Sequence, residues 1–358
     1  MSWRRRARWG AVSLCLSLPG VTSGQGAKQV VVPPTRWILA YAGWPKEGRS
    51  AYTVDDFVRL LAVVDTAGQP ICWLNTGVLF LQIYATSGRG FYPGFGPKLA
   101  DGADWQQYVD SLMAKDAAVA RLDSAVGLIT TRLKGGPKPL PVAVMIPYPD
   151  PGAGIITFGN NAYVMNTAAG RLGLATAYME RVRSAFAKGR HGHLYFDAFY
   201  WFRENCPPAD TLLLHKVAAV VHAAGLRFLW IPYYRAVGFD HWKSLGFDEA
   251  WLQPNYFFHL DVPQSRLDSA SALAEANGLG IEIEFDKRLE TAPPFRDRLG
   301  AYLALLEGHP DLRGRSVAVY DGAGALIKLS RGRGLFDRAL YGRLVEGLTL
   351  ADTGAFRR

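Results

Sequence analysis

From Arg36 to Leu348, short apolar runs with strand character alternate with longer runs of helical spacing. The strand-like runs are Arg36–Tyr41, a stretch within 71–84, Leu140–Pro147, Leu194–Trp201, Arg227–Ile231, Glu249–Gln253, Gly280–Asp286 and Ser316–Tyr320. Helical spacing follows each of them, as in Phe57, Leu60, Leu61 and Val64 after the Thr53-Val54-Asp55-Asp56 capping box. Eight strand–helix units predict an α/β fold, a (β/α)8 TIM barrel. A doubly wound sheet needs a phosphate-binding glycine turn after its first strand, and Tyr41-Ala42-Gly43-Trp44-Pro45 is not one. There is no internal repeat and no low-complexity linker, so one barrel domain is expected over residues 33–352, with long loops after strands two and three.

The chain has 358 residues, 49% hydrophobic and 20% charged, enough apolar material for a full core. Arg4, Arg5, Arg6 and Arg8 precede an apolar run from Trp9 to Leu18 and a small-residue stretch at Thr22-Ser23-Gly24. That is the layout of a signal peptide over residues 1–27, cleaved near 24–27, and it predicts a secreted or periplasmic protein. Leu14-Cys15 is a poor lipobox, and no other apolar run reaches membrane-spanning length. Removing four arginines from a net charge of +9 leaves +5, too modest and scattered to imply nucleic-acid binding. Cys72 and Cys206 remain after cleavage and fit either a disulfide or two buried thiols. A monomer is expected.

Gly280-Ile281-Glu282-Ile283-Glu284-Phe285-Asp286 alternates strictly, so a strand here puts Glu282, Glu284 and Asp286 on one face. Three carboxylates on one face are costly to bury in an ordinary core and fit the rim of a ligand-holding mouth. Barrel active sites form at the carboxyl ends of the strands. Those ends carry Tyr41 and Trp44; Gln82 and Tyr84; Tyr148 and Asp150; Tyr200, Trp201 and Glu204; Tyr233 and Tyr234; Gln253, Asn255 and Tyr256; Tyr320 and Asp321. Any one of these aromatics also suits a core-capping role. Together with the amides and carboxylates they point to a carbohydrate cleft, since aromatic faces stack on sugar rings and amides bind hydroxyls.

Glycosidic cleavage needs one carboxyl to protonate the leaving oxygen and a second as nucleophile or base. Glu204 after strand four and Glu284 on strand seven are the candidates, with Asp286 a rival to Glu284, Glu282 a supporting partner and Asp197 a buried polar partner. Tyr41, Trp201, Tyr233, Tyr234, Gln253, Asn255, Tyr256, Tyr320 and Asp321 are expected to bind substrate. The alternative is a non-catalytic carbohydrate-binding or cell-wall-associated barrel. His191-Gly192-His193 precedes strand four, at the stability face, and reads as structural; there is no His-Glu-x-x-His, Gly-x-Ser-x-Gly or phosphate loop, so no metal or cofactor is expected.

The stretches Phe199–Glu204, Leu229–Tyr234, Gly246–Asp248, Leu252–Phe258 and Gly280–Asp286, with the region from Tyr41 to Val126, resemble a bacterial exported family known as domain of unknown function 4855 (DUF4855). Gln253-Pro254-Asn255-Tyr256-Phe257 is the most specific of them. The resemblance covers most of the mature chain and implies an exported, glycosidase-like barrel with Glu204 and Glu284 where the family pattern wants them. At Leu74-Asn75-Thr76-Gly77 the chain lacks the acidic residue expected in relatives, and Phe158-Gly159-Asn160-Asn161 also departs from the pattern.

Overall fold

A computed structural model describes residues 35–43 and 51–353. Eight parallel strands close into a barrel in sequential order. They are β1 (Arg36–Tyr41), β2 (Gly77–Leu81), β3 (Leu140–Ile146), β4 (Leu194–Trp201), β5 (Arg227–Trp230), β6 (Glu249–Leu252), β7 (Gly280–Asp286) and β8 (Val317–Gly322). β8 pairs back onto β1, Arg36 opposite Val317, which closes the ring. The helices are α1 (Val54–Leu61), α2 (Gly102–Met113), α3 (Ala118–Arg132), α4 (Ala168–Gly189), α5 (Thr211–Ala223), α6 (Ser265–Asn277), α7 (Pro293–Gly308), α8 (Ala325–Arg331) and α9 (Leu335–Thr353). The expected leader, residues 1–27, and Trp44 lie outside the described residues.

All-parallel strands are covered on both faces, which is why β3 reads as a continuous apolar run and is buried at every position. The expected capping box opens α1: the Asp56 amide donates to Thr53 Oγ1 (3.1 Å) and the Thr53 amide to Asp56 Oδ2 (2.7 Å). The second barrel strand, Gly77–Leu81, lies within the expected 71–84 window. Pro70–Trp73 leaves the barrel and pairs antiparallel with Ala62–Val64. The helical region after β2 is two helices, broken at Ala114–Ala117, because α2 packs against α4 while α3 packs against α1. No Gly or Pro marks that break, so tertiary packing sets it. The long loop after β3 carries a hairpin of its own, Ile155–Phe158 on Asn161–Val164.

The amino-terminal end of the barrel is tied by charge. Arg227, first in β5, donates to Glu249 Oε2 (2.9 Å), first in β6, and to Asp197 Oδ2 (3.1 Å) on β4. Asp197 is thus a structural ion-pair partner here, as its depth in the strand suggested. Trp251 gives its indole N–H to Ser316 Oγ (2.9 Å), and Ser316 in turn bonds Glu249. Neither reading of the cysteines holds: Cys72 is exposed on the Pro70–Trp73 hairpin strand, Cys206 is buried, and no disulfide joins them.

Gly280 opens β7 opposite Trp251. A Cβ there would press into the Ser316 carbonyl oxygen and the Trp251 indole. Gly280→Ala is therefore expected to cost about 1–3 kcal/mol by overpacking, read as a lower urea midpoint at unchanged m-value.

Candidate active site

At the carboxyl end of the barrel lies a pocket of about 50 Å3 lined by Glu204, Glu282 and Gln253, with the phenols of Tyr41, Tyr200 and Tyr320 around them. Leu39, Leu81 and Ile231 form its apolar base, and Tyr92, Phe95 and Phe202 its wall. It adjoins a cleft of about 1020 Å3 that shares Tyr41, Ile83 and Tyr320 with it.

Glu204 follows β4 on a segment pinned on both sides. The Phe202 amide donates to Ile146 O (3.3 Å) and Trp230 Nε1 to Arg203 O (2.8 Å). On the far side, Asn205 Oδ1 accepts from the Val237 amide (2.7 Å) and the Cys206 amide donates to Val237 O (3.0 Å). Arg203 itself enters a buried ionic network. Asp210 accepts from Arg203 Nη1 and Arg171 Nη1 (both 2.8 Å) and from the Tyr148 hydroxyl (2.9 Å), while the Arg203 guanidinium also stacks over the Tyr148 ring at 4.3 Å. Charges this buried persist only when hydrogen-bonded to one another, and together they fix the backbone that aims Glu204.

β7 delivers its carboxylates to three different places. Glu282 lines the pocket; it is 1% exposed, and its Oε2 has no hydrogen-bond partner among the described residues. Glu284, two residues on, is fully buried and outside the pocket lining. Its Oε2 accepts from the Tyr256 amide (3.2 Å) and from the Tyr302 hydroxyl on α7. Asn255 makes that approach possible by taking a left-handed backbone (φ 52°), which asparagine tolerates better than most residues. Asp286 pairs with Arg288 (2.9 Å) and accepts from its amide (2.9 Å), away from the pocket. Of the three β7 carboxylates, Glu282 alone shares the pocket lining with Glu204, while Glu284 acts on Glu204 by its charge.

Burial and then the charge of Glu284 push the Glu204 carboxyl up to about 7. Burial likewise pushes Glu284 up to about 7, against Tyr302 and the amides of residues 255–257, which favour its charged form. Glu282 is raised by burial and by both neighbours, and opposed by Gln253. The three carboxyls therefore lose protons as one interacting group. Tyr41 and Tyr200 are held neutral by burial and by these nearby charges, as hydrogen-bond donors.

Several expected substrate contacts belong to the walls instead. Trp201 is fully buried, edge-on to Tyr148 (6.0 Å) and Phe228 (6.2 Å), because it points out of the barrel where its neighbour Tyr200 points in. Tyr256 is buried beneath Arg298 (4.1 Å) and against Tyr302, and Tyr234 lies beneath Arg266 (4.3 Å). Tyr233 bridges to Gln253 through the backbone. Asp321 is buried and accepts from the Leu326 amide (3.1 Å) at the start of α8. Tyr302, Arg171 and Asp210 were not anticipated; they sit on or beside helices and carry no strand-end signal.

A carboxyl whose folded pKa is raised binds its proton more tightly in the folded than in the unfolded chain. Its contribution to stability is full below about 4.5 and is lost as pH rises through about 7. Glu284→Gln should abolish one such loss, on the order of 3 kcal/mol, so that unfolding free energies of wild type and variant, measured by urea at pH 5 and pH 8, diverge at the higher pH in favour of the variant.

The family model described as "Domain of unknown function (DUF4855)" matches residues 36–346. No curated protein matches the chain. Among solved structures, PbGH5A, a glycoside hydrolase family 5 enzyme from Prevotella bryantii B14, is similar at 10% identity and a TM-score of 0.47, covering 88% of this chain and 95% of that one. A mutant tryptophan synthase alpha-subunit from Pyrococcus furiosus is similar at 10% identity and a TM-score of 0.41, covering 88% and 98%. With its barrel strands and both pocket carboxylates inside the matched span, this chain belongs to the DUF4855 family.

Proposed function

We propose that the protein is a glycoside hydrolase, exported under the direction of residues 1–27, in which Glu204 is the general acid/base and Glu282 the second carboxyl. The observation that carries this reading is the shared pocket: two carboxyls, one just after β4 and one on β7, line one space, with Glu282 Oε2 unpartnered among the described residues and phenols around it. An unpartnered buried carboxylate oxygen costs free energy that an incoming sugar offsets. Burial and the Glu284 charge keep the proton on Glu204 up to about pH 7, where it is available to the leaving oxygen. Burial and the Glu284 and Glu204 charges raise Glu282 as well, against a hydrogen bond from Gln253, so the carboxyls share their protons and the ionised member of the pair serves as the second carboxyl. Tyr41, Tyr200 and Tyr320 supply ring faces and hydroxyl donors to the sugar.

Glu204→Gln and Glu282→Gln are each expected to lower kcat by roughly 10²- to 10⁴-fold, measured as released reducing ends on a polysaccharide panel, with glycan binding retained. Turnover unchanged in both variants would overturn the assignment; binding by a wild type that cleaves nothing would instead support a carbohydrate-binding barrel.

The alkaline limb of the rate profile should fall near pH 7, as Glu204 ionises. Glu284→Gln removes a like charge beside Glu204, which makes that ionisation easier and moves the limb to lower pH. A limb that stays in place would separate Glu284 from the chemistry.

A further inference from the structure

We infer that the large cleft beside the carboxylate pocket takes an acidic glycan whose carboxylate or sulfate groups sit on sugars next to, and not at, the bond being cut. This rests on reading the pocket as the point of cleavage. The two cavities meet at Tyr41, Ile83 and Tyr320, so a chain held in one continues into the other. Their charges differ in sign. The pocket is lined by Glu204 and Glu282 and by no lysine or arginine among the described residues.

The cleft is lined by Lys115, Arg121, Lys328 and Arg331 against Asp56 and Asp116. On one wall the cations are matched: Lys328 pairs with Glu290, and Arg331 with Asp55 (2.7 Å) and Asp56 (2.8 Å). On the other wall they are not. Arg121 donates Nη1 to Tyr52 O (2.8 Å), and among the described residues neither it nor Lys115 has an ion pair with an acid. Lys115 lies in the break between α2 and α3, and Arg121 in the first turns of α3, so that break brings both to the cleft.

A cleft with low-dielectric walls focuses the field of such charges. It draws anionic groups to the Lys115–Arg121 wall while Glu204 and Glu282 repel them from the pocket. Tyr52 and Tyr84 line the same cleft, and the Gln82 side chain joins them, giving ring faces and an amide for the uncharged parts of the sugar. A neutral glucan uses those rings but has no use for the cations.

The test uses the full chain carrying Glu204→Gln, so that ligand is bound and not consumed, with calorimetric titration of hyaluronan, polygalacturonate and chondroitin sulfate fragments against dextran and xylan fragments. At least one acidic probe is expected to bind roughly tenfold tighter than the neutral ones and to weaken as salt is raised. Lys115→Gln together with Arg121→Gln should remove that advantage and leave neutral binding unchanged. Lys115→Gln alone, at an exposed position, gives the same direction of effect if the double variant fails to fold. Neutral fragments binding as tightly as acidic ones, no loss on substitution, or tighter binding of single-stranded DNA than of any glycan would each overturn the inference. Acidic fragments bound through Lys115 and Arg121 by a wild type that cleaves no glycan would leave this inference standing and remove the hydrolase reading. Neutral glycan cleaved without acidic binding would do the reverse.

Discussion

Desolvation of Glu282 and Glu284 is the constraint on which this molecule turns. A carboxylate taken out of water loses far more than a single neutral hydrogen bond returns, yet β7 carries two of them buried within an apolar barrel. The chain answers each differently. Glu284 is wrapped by the turn at residues 255–257 and by Tyr302, which spans from α7 to reach it. Glu282 is given Gln253 and an open pocket. Each keeps one oxygen without a hydrogen-bond partner among the described residues, Glu284 Oε1 and Glu282 Oε2, but only Glu282 lines the pocket.

The same division explains what sequence could and could not show. Barrel strands were legible because parallel strands buried on both faces tend to be written as unbroken apolar runs, β3 most plainly. Strand order followed from connectivity, and with it the end of the barrel where Glu204 and the β7 carboxylates lie. The choice among those carboxylates was not legible. Alternation puts Glu282, Glu284 and Asp286 on one face, but which of them meets Tyr302, which meets Arg288 and which meets the pocket is decided by helices and turns elsewhere in the chain. Trp201 shows the same limit at one residue: adjacent to Tyr200 and similar in chemistry, it points out of the barrel, into the core.

Glu204 depends on a device with no local signature. Arg171, Asp210 and Arg203 come from α4, the turn before α5 and the end of β4, and meet at the Tyr148 hydroxyl. Two cations on one carboxylate, with a phenol between them, make a rigid anchor just behind the carboxyl that must hold its aim. Removing any one member leaves the others charged and buried, so the group behaves as a unit rather than as separate contacts.

The break between α2 and α3 has a further meaning for how such a protein changes. Lys115 and Arg121 enter the cleft on an excursion between β2 and β3, whereas Glu204 follows β4 and Glu282 rides on β7. On the function proposed above, reaction and preference are thus encoded in separate stretches of the chain. Under that reading, exchanging residues 114–121 between family members is a graft that would carry over the cations of the cleft wall and leave the carboxylate pocket where it was.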